Sequence, residues 1–573
     1  MVTNPEPIQF IYEQREAFGV VESVDTSTVI VSIDDEDAIT HIQVNRLVAI
    51  QSIRISEYYI GMISKIVRKV DVQGASADED VFIKNNIVKI TLVGTFRGKV
   101  GLQTNVFTRS IVSVPTINAE TYLIEKQRLS LLMSSLANQS SESVSSLNIG
   151  HYAVDEDTPA FIDGDKFFQR HAVIVGSTGS GKSWLVAKIA EQVAGLKSGD
   201  AILFDIHGEY ASLAGDEFCN IRIAGPNDEP GDDVLFLPFW LLTYDELISL
   251  MLDRSDQNAP NQAALFSQLV LKGKEEFLKD GIHNSESSMI TLDSPVPFDI
   301  SSLISELEAK DHQMVPGAND KEKQGPHFGK LTRFTQRLNN RVKDKRLNFL
   351  FSDSPDLMAY DYAAEIASKL MAPHAVYPGV KVVDFSEVPS DILPLIASLV
   401  ARLVFTVQQW TTNRLRHPVA LFCDEAHLYI PASTSEVMGI SARASFERIA
   451  KEGRKYGVGL VVITQRPYEV DKTVLSQCNN YLSMRLTNVD DQSTIRHLLP
   501  DTLGNLTDSL PVLDTGEVIA VGDACLLPSR IVVEAPTYKP ISATIDFWTT
   551  WNNDSTTIDY SKAIRSLRLQ RKG

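Results

Sequence analysis

Cysteine is scarce in this chain. Four residues, Cys219, Cys423, Cys478 and Cys525, stand far apart in 573 and form no CxxC pair. That spacing argues against a disulfide framework or a zinc ribbon and suits a reducing compartment. Basic charge is also short: 54 Lys and Arg face 73 Asp and Glu, a formal net charge of −19. A polybasic coat is excluded, whereas a basic channel inside an acidic body is not. Apolar runs are broken by polar residues before they reach the roughly 20 residues that span a bilayer. The start, MVTNPEPIQF, has neither a basic region nor an apolar one. The expectation is a soluble, cytoplasmic chain with no membrane partner. Hydrophobic residues at 43% and charged residues at 22% exclude a collagen-like, coiled-coil or wholly disordered chain. The length predicts about three or four domains.

Residues 1–110 read as short strands. GVVESVDTSTVIVSI, ITHIQVNRLVAI, MISKIVRKV after Gly61, and VFIKNNIVKITLVGTF are rich in β-branched residues, and SIDDED and VQGASADED supply turns. Several short strands in a small unit predict a β-barrel, closed so that no edge is exposed. No nucleophile–base pair is visible in it, so an adaptor role is expected. Residues 111–150 read as a connecting segment, with SSLANQSSESVSSLN over 134–148 as a linker or surface loop. From His171 the texture changes. AVIVG, WLVAKIAEQVAGL and AILFDI give the strand–helix–strand rhythm of a parallel sheet. Residues 237–379 have mainly helical spacing, and VKVVDF then resumes the sheet. The predicted fold class is α/β: a core over 151–236 and 380–535, a helical subdomain inserted at 237–379, and a tail over 536–573.

The strongest local signal is GSTGSGKS, comprising Gly176, Ser177, Thr178, Gly179, Ser180, Gly181, Lys182 and Ser183. A strand before it and a helix after it make this G-x-x-x-x-G-K-[ST] pattern a phosphate-binding loop. Its glycines let backbone N–H groups curl around phosphates at a helix N-terminus. Lys182 suits the β- and γ-phosphates of ATP, and Ser183 suits Mg2+. In ALFCDEAH a buried strand delivers Asp424, suited to the Mg2+ shell, and Glu425, suited to polarising the attacking water. His427 either supports the local turn or joins the site. GLVVITQRP places Gln465 past a third strand, where it orients the water or senses the γ-phosphate. In DIHGEY, Asp205, His207 and Glu209 are either an acidic surface turn or neighbours of nucleotide and Mg2+.

GSTGSGKS, DIHGEY, LPFWLLTYDEL, DEAHLYIP, IAKEGRKYGVGLVVITQRP and GEVIAVGD together resemble the HerA-type ATPases, hexameric DNA-pumping motors of the FtsK–HerA branch of P-loop proteins. The resemblance covers roughly residues 10–535 and is strongest in the motor core. It implies a RecA-like core with a helical insertion behind an N-terminal β-barrel. It also implies that Lys182 and Ser183 bind ATP and Mg2+, that Asp424 and Glu425 form the hydrolysis pair, and that Gln465 is the sensor. Arg454 matches an arginine that reaches the neighbouring subunit's nucleotide, and Arg170 is a second candidate for that role. Family members work with a separate nuclease or other effector, and some belong to anti-phage systems with a Sir2-like partner. The expectation is an ATP-driven homo-hexamer that moves duplex DNA. The alternatives are a ring that gates an effector with little translocation, and a nucleotide-binding scaffold. LTRFTQRLNNRVKDKR sets Arg333, Arg337 and Arg341 at four-residue spacing, either a stripe for DNA phosphates or a solvated face paired with acidic neighbours.

Overall fold

The computed structural model describes residues 10–569 apart from 34–39, 41, 45, 74–80, 99–104, 142–145, 154, 280–282, 317–321, 374–377, 434–436, 500–506, 542–546 and 553–559. The two acidic turns expected within 32–37 and 72–80 fall largely outside the described residues.

Seven strands form the N-terminal sheet: β1 (Gly19–Asp25), β2 (Thr28–Ser32), β3 (Leu47–Gln51), β4 (Glu57–Gln73), β5 (Val81–Arg97), β6 (Val106–Thr108) and β7 (Glu120–Leu123). Their order is β2-β1-β7-β3-β4-β5-β6, and β2 also pairs with β5. Six strands therefore close into a barrel, with β6 added alongside β5. Val21, Val29, Val31, Val48, Ile50, Ile63, Val88 and Ile90 point inward and are fully buried. Each such side chain contributes about 1.5–3 kcal/mol. The barrel runs past the expected boundary at residue 110. β7 pairs with both β1 and β3, so an ending before Glu120 would leave the barrel open.

The expected connecting segment is also corrected. Residues 126–141 form α1 (Lys126–Ser141), whose Leu129, Leu132, Met133 and Leu136 are buried at one helical face. β8 (Ser146–Tyr152) then pairs with β9 (Asp155–Asp163). Serine-rich composition hid both elements. α2 (Gly164–Gln169), β10 (Ala172–Val175) and α3 (Lys182–Ala194) follow.

By compactness the chain divides into two units. One comprises Met1–Gln192, Gln465–Tyr468 and Cys478–Pro536; the other comprises Val193–Thr464, Glu469–Gln477 and Thr537–Gly573. The barrel and the strand before the phosphate loop thus share a unit, and the expected break near residue 150 is not a division of it. Arg109 helps to join them, donating to the carbonyl oxygens of Leu526 (3.0 Å), Gly522 and Cys525.

The second unit carries β11 (Ala201–Asp205), β12 (Phe218–Ile223) and β13 (Val234–Leu235). Next comes the expected helical insertion: α4 (Tyr244–Met251), α5 (Ala259–Lys279), α6 (Ile300–Asp311), α7 (Thr332–Val342), α8 (Asn348–Phe351) and α9 (Tyr362–Met371). The polar stretch between α6 and α7 contains a small antiparallel pair, β14 (Met314–Pro316) and β15 (Glu322–Gln324). Thr243 and Glu246 form a capping box at the start of α4, and Asp299 accepts from the N–H groups of Ser301 and Ser302 to start α6. The sheet resumes with β16 (Val380–Asp384), α10 (Leu393–Trp410), β17 (Val419–Cys423), α11 (Val437–Tyr456), β18 (Val458–Thr464) and α12 (Lys472–Gln477). Its parallel order is β13-β12-β16-β11-β17-β18. β17 and β18 are buried along their whole length, as strands covered on both faces must be. At 18 residues, α10 is long and apolar enough by composition to cross a membrane, which corrects the reading that no run reaches that length. It is 61% buried and packs against α11 and β18, so it is a core helix.

The first unit is completed by β19 (Asn480–Ser483), α13 (Val489–Leu498), β20 (Glu517–Gly522) and β21 (Ser529–Val533). β19 pairs in parallel with β10, and the ladder continues antiparallel through β20, β21, β8 and β9. The tail helices, α14 (Phe547–Asn552) and α15 (Ser561–Leu569), bury no residue. Before them, Tyr538 meets the Phe218 ring edge-on at 5.7 Å. The architecture is the expected α/β core with inserted helices and an N-terminal barrel.

Candidate functional site: a phosphate loop and an acidic strand end

The loop Gly176–Gly181 leaves the fully buried β10 and enters α3 at Lys182. Gly179 has φ +74° and Gly181 φ +102°, conformations that side-chain-bearing residues rarely adopt. A Cβ at Gly179 would meet nothing within 4 Å, so the loop encloses open space there. At Gly181 a Cβ would come 3.2 Å from the backbone of Gly516. Two segments pin the loop from behind. Gly516 N–H donates to Ser180 O (2.9 Å), and Ser177 N–H donates to Arg485 O (2.8 Å). These contacts give the late GEVIAVGD motif a physical role: its first glycine closes against the phosphate loop.

Lys182 is 7% exposed and Ser183 is half-buried. Ser180 Oγ is enclosed without a hydrogen-bond partner among the described residues. A buried amine, a hydroxyl, left-handed glycines and the N-terminus of a 13-residue helix form a donor set that fits a nucleotide polyphosphate and its Mg2+. Thr178 Oγ1 donates to Gln465 Oε1 at 2.5 Å, which brings the loop and the expected sensor together.

In the second unit β17 ends at Cys423 and is followed directly by Asp424 and Glu425, each 3% exposed. Glu425 has φ 46° and ψ 44°, a left-handed backbone for a residue with a side chain. The Tyr429 hydroxyl, wholly buried, donates to Asp424 O at 2.8 Å and fixes the turn. Burial holds that hydroxyl well above the ordinary tyrosine range. His427 Nδ1 lies 3.3 Å from Glu425 Oε2 and 3.2 Å from Thr464 Oγ1.

The other expected site residues divide. Asp205 is buried, and its carboxylate accepts from the N–H groups of Gly208 (2.8 Å), Glu209 (3.0 Å) and Tyr210 (2.9 Å). Burial raises its pKa against those three donors. The carboxylate is committed to shaping the DIHGEY turn, where Gly208 has φ +74°. His207 is exposed, and Glu209 O accepts from Ile541 N–H in the tail (2.8 Å). Arg170 pairs with Asp523 of its own chain at 3.2 Å. Arg454 is exposed near the end of α11 and makes no ion pair among the described residues. On α7, Arg337 and Arg341 lie near Asp253 (3.9 Å) and Asp391 (3.7 Å), as a solvated face with acidic neighbours requires. Thr464, Arg485 and Gly516 were not readable as site residues. Gly516 and Thr464 stood inside quoted motifs without an assigned role, and Arg485 carried no signal.

Residues 147–404 match the family model described as "Helicase HerA, central domain". The DNA double-strand break repair helicase HerA of Sulfolobus acidocaldarius is 26% identical over 369 residues, 64% of this chain and 65% of that protein. Its counterpart from Saccharolobus solfataricus is 26% identical over 375 residues, 64% of each chain. Over these central residues the chain is similar to the HerA/FtsK-like branch of P-loop ATPases. Its match spans 65% and 64% of the length of these two HerA relatives. Among solved structures, VirB4 of Thermoanaerobacter pseudethanolicus aligns with a TM-score of 0.44 at 18% identity, over 69% of this HerA-like chain and 98% of VirB4.

Proposed function

We propose that this protein is an ATP-hydrolysing motor that works as a homo-hexamer in the cytoplasm, moves duplex DNA, and serves a separate nuclease or Sir2-like effector in anti-phage defence. The observation that carries the ATPase reading is the phosphate loop, a fully buried strand turning through two left-handed glycines into a helix headed by Lys182 and Ser183. Lys182 holds the β- and γ-phosphates, and the Gly176–Gly181 backbone cradles them. Ser183 and Asp424 hold Mg2+, which when bound neutralises charge developing on the phosphate oxygens. Glu425 takes a proton from water as its oxygen bonds to the γ-phosphorus and the bond to the ADP oxygen breaks. Gln465, hydrogen-bonded to Thr178 in the loop, senses the γ-phosphate. Arg454 completes the neighbouring subunit's site, and the barrel is the collar on which the effector docks.

Translocation rests on the HerA relationship. A second reading, an ATP-gated ring that organises its effector with little movement along DNA, draws support from α7, whose Arg337 and Arg341 face carboxylates. ATPase rate with and without long duplex DNA, and with and without the effector, separates the two. A motor is stimulated by long duplex; a gating ring responds to the effector alone. No ATP turnover under any of these conditions would overturn both.

A further inference from the structure

His427 lies beside Glu425, and the proposed mechanism leaves it without a task. Its Nδ1 is hydrogen-bonded with Thr464 Oγ1 at 3.2 Å and lies 3.3 Å from Glu425 Oε2 without the geometry of a hydrogen bond to it. A carboxylate only accepts a hydrogen bond, whereas a hydroxyl donates or accepts. With the proton on Nε2, Nδ1 accepts from Thr464, the contact the structure holds. With its proton on Nδ1, a small turn of the neutral imidazole lets it donate to the nearby Glu425 carboxylate instead. The two forms carry the same number of protons, so exchanging them changes which neighbour is held and not the charge of the ring.

Two features give that choice consequences. Glu425 occupies left-handed backbone, a conformation that persists only where the surroundings hold it. Thr464 is fully buried and is the last residue of β18, so its hydroxyl moves with the strand end that carries Gln465. We propose that His427 and Thr464 form a relay through which the end of β18 sets the orientation of the Glu425 carboxylate, His427 being a positioning residue for water activation. The relay rests on Glu425 being the water-activating group.

The experiment compares kcat for ATP hydrolysis, nucleotide Kd and the melting midpoint of full-length protein carrying His427→Ala, Thr464→Val or Thr464→Ser, or both His427→Ala and Thr464→Val. Thr464→Val keeps the buried shape and removes only the hydroxyl, which guards against loss of folding. His427→Ala and Thr464→Val are each expected to lower kcat on the order of 10- to 100-fold, the range found for groups that orient metal ligands. Nucleotide Kd stays within about 2-fold, because the relay acts on orientation and not on binding. Thr464→Ser restores most of the rate, and the double variant is no slower than His427→Ala, as two links of one chain require. Wild-type kcat in His427→Ala, a Thr464→Ser as slow as Thr464→Val, or additive losses in the double variant would each overturn the relay. Glu425→Gln is measured alongside. If it hydrolyses ATP normally, the water-activating assignment falls. If it is inert while His427→Ala turns over normally, only the relay falls.

Discussion

Glu425 and Lys182 are both buried, and they fail in different ways when replaced. Glutamine at 425 keeps the size of the side chain and loses the carboxylate that, in the proposed mechanism, accepts a proton from water. Glu425→Gln is therefore expected to bind ATP with affinity close to wild type and to lower kcat by about 100- to 10,000-fold, the span of general-base contributions. Lys182→Ala removes the amine proposed to meet the phosphates, so the loss is expected in ATP affinity itself. Fluorescent-nucleotide titration and steady-state phosphate release distinguish the two, and wild-type turnover by Glu425→Gln would remove it from its role. The cysteines make a simpler case. Cys423, Cys478 and Cys525 are buried thiols, and only Cys219 is partly exposed. Burial pushes the Cys525 thiol up to about 12 and Cys478 higher still, so neither forms thiolate near neutral pH. A thiol reagent on the native protein is expected to label Cys219 first and to reach the other three only on unfolding.

At the scale of elements, the second unit contains an ion pair sealed from water. Lys381 Nζ in β16 donates to Asp200 Oδ1 at 2.8 Å and also to Ala372 O, and neither charged side chain is exposed. Asp200 Oδ2 has no partner among the described residues. Burial lifts the Asp200 carboxyl to about 6 and pushes Lys381 down, so desolvation outweighs their attraction. Lys381→Met strands a buried carboxylate and is expected to cost about 3–5 kcal/mol in urea unfolding, while adding Asp200→Leu recovers most of that loss. A double variant as unstable as the single would show that the pair contributes more than its burial costs. The arginines of α7 test the DNA path in the same way. Because Arg337 and Arg341 already face Asp253 and Asp391, changing Arg333, Arg337 and Arg341 to Ala is expected to leave DNA affinity and its salt slope unaltered. A slope reduced by about one per lost phosphate contact would return α7 to the DNA path.

Across the whole molecule, legibility followed length and local chemistry. The phosphate loop, β17, β18 and the helical insertion were plain because each combines a sustained period or an uninterrupted apolar run with a turn signal. β19 was not legible, since NYLS is four residues long with a polar residue at each end, yet it pairs with β10. α1 was hidden by serines around its buried leucines, and β7 by its distance along the chain from the strands it joins. Asp205 shows a different failure. Its acidic pattern is real, but its lone pairs go to three backbone N–H groups, a use that residue spacing does not reveal.

The ring is the largest object that a single side chain can test. Arg170 is paired with Asp523 of its own chain, whereas Arg454 is exposed and makes no ion pair among the described residues. An arginine that completes a neighbour's site requires a heterologous interface, and repeated heterologous interfaces close into a ring. Mass measurement with nucleotide present is expected to give a hexamer, and an active strict monomer would defeat that assignment. Arg454→Ala and Glu425→Gln protein should each be nearly inert alone. In mixed rings, a protomer with intact Glu425 and no Arg454 can lie beside one that supplies Arg454. A random equimolar mixture creates that arrangement at about one interface in four. Activity is therefore expected to appear on mixing if Arg454 acts in trans, and wild-type turnover by Arg454→Ala rings alone would place Arg454 outside the neighbour's site.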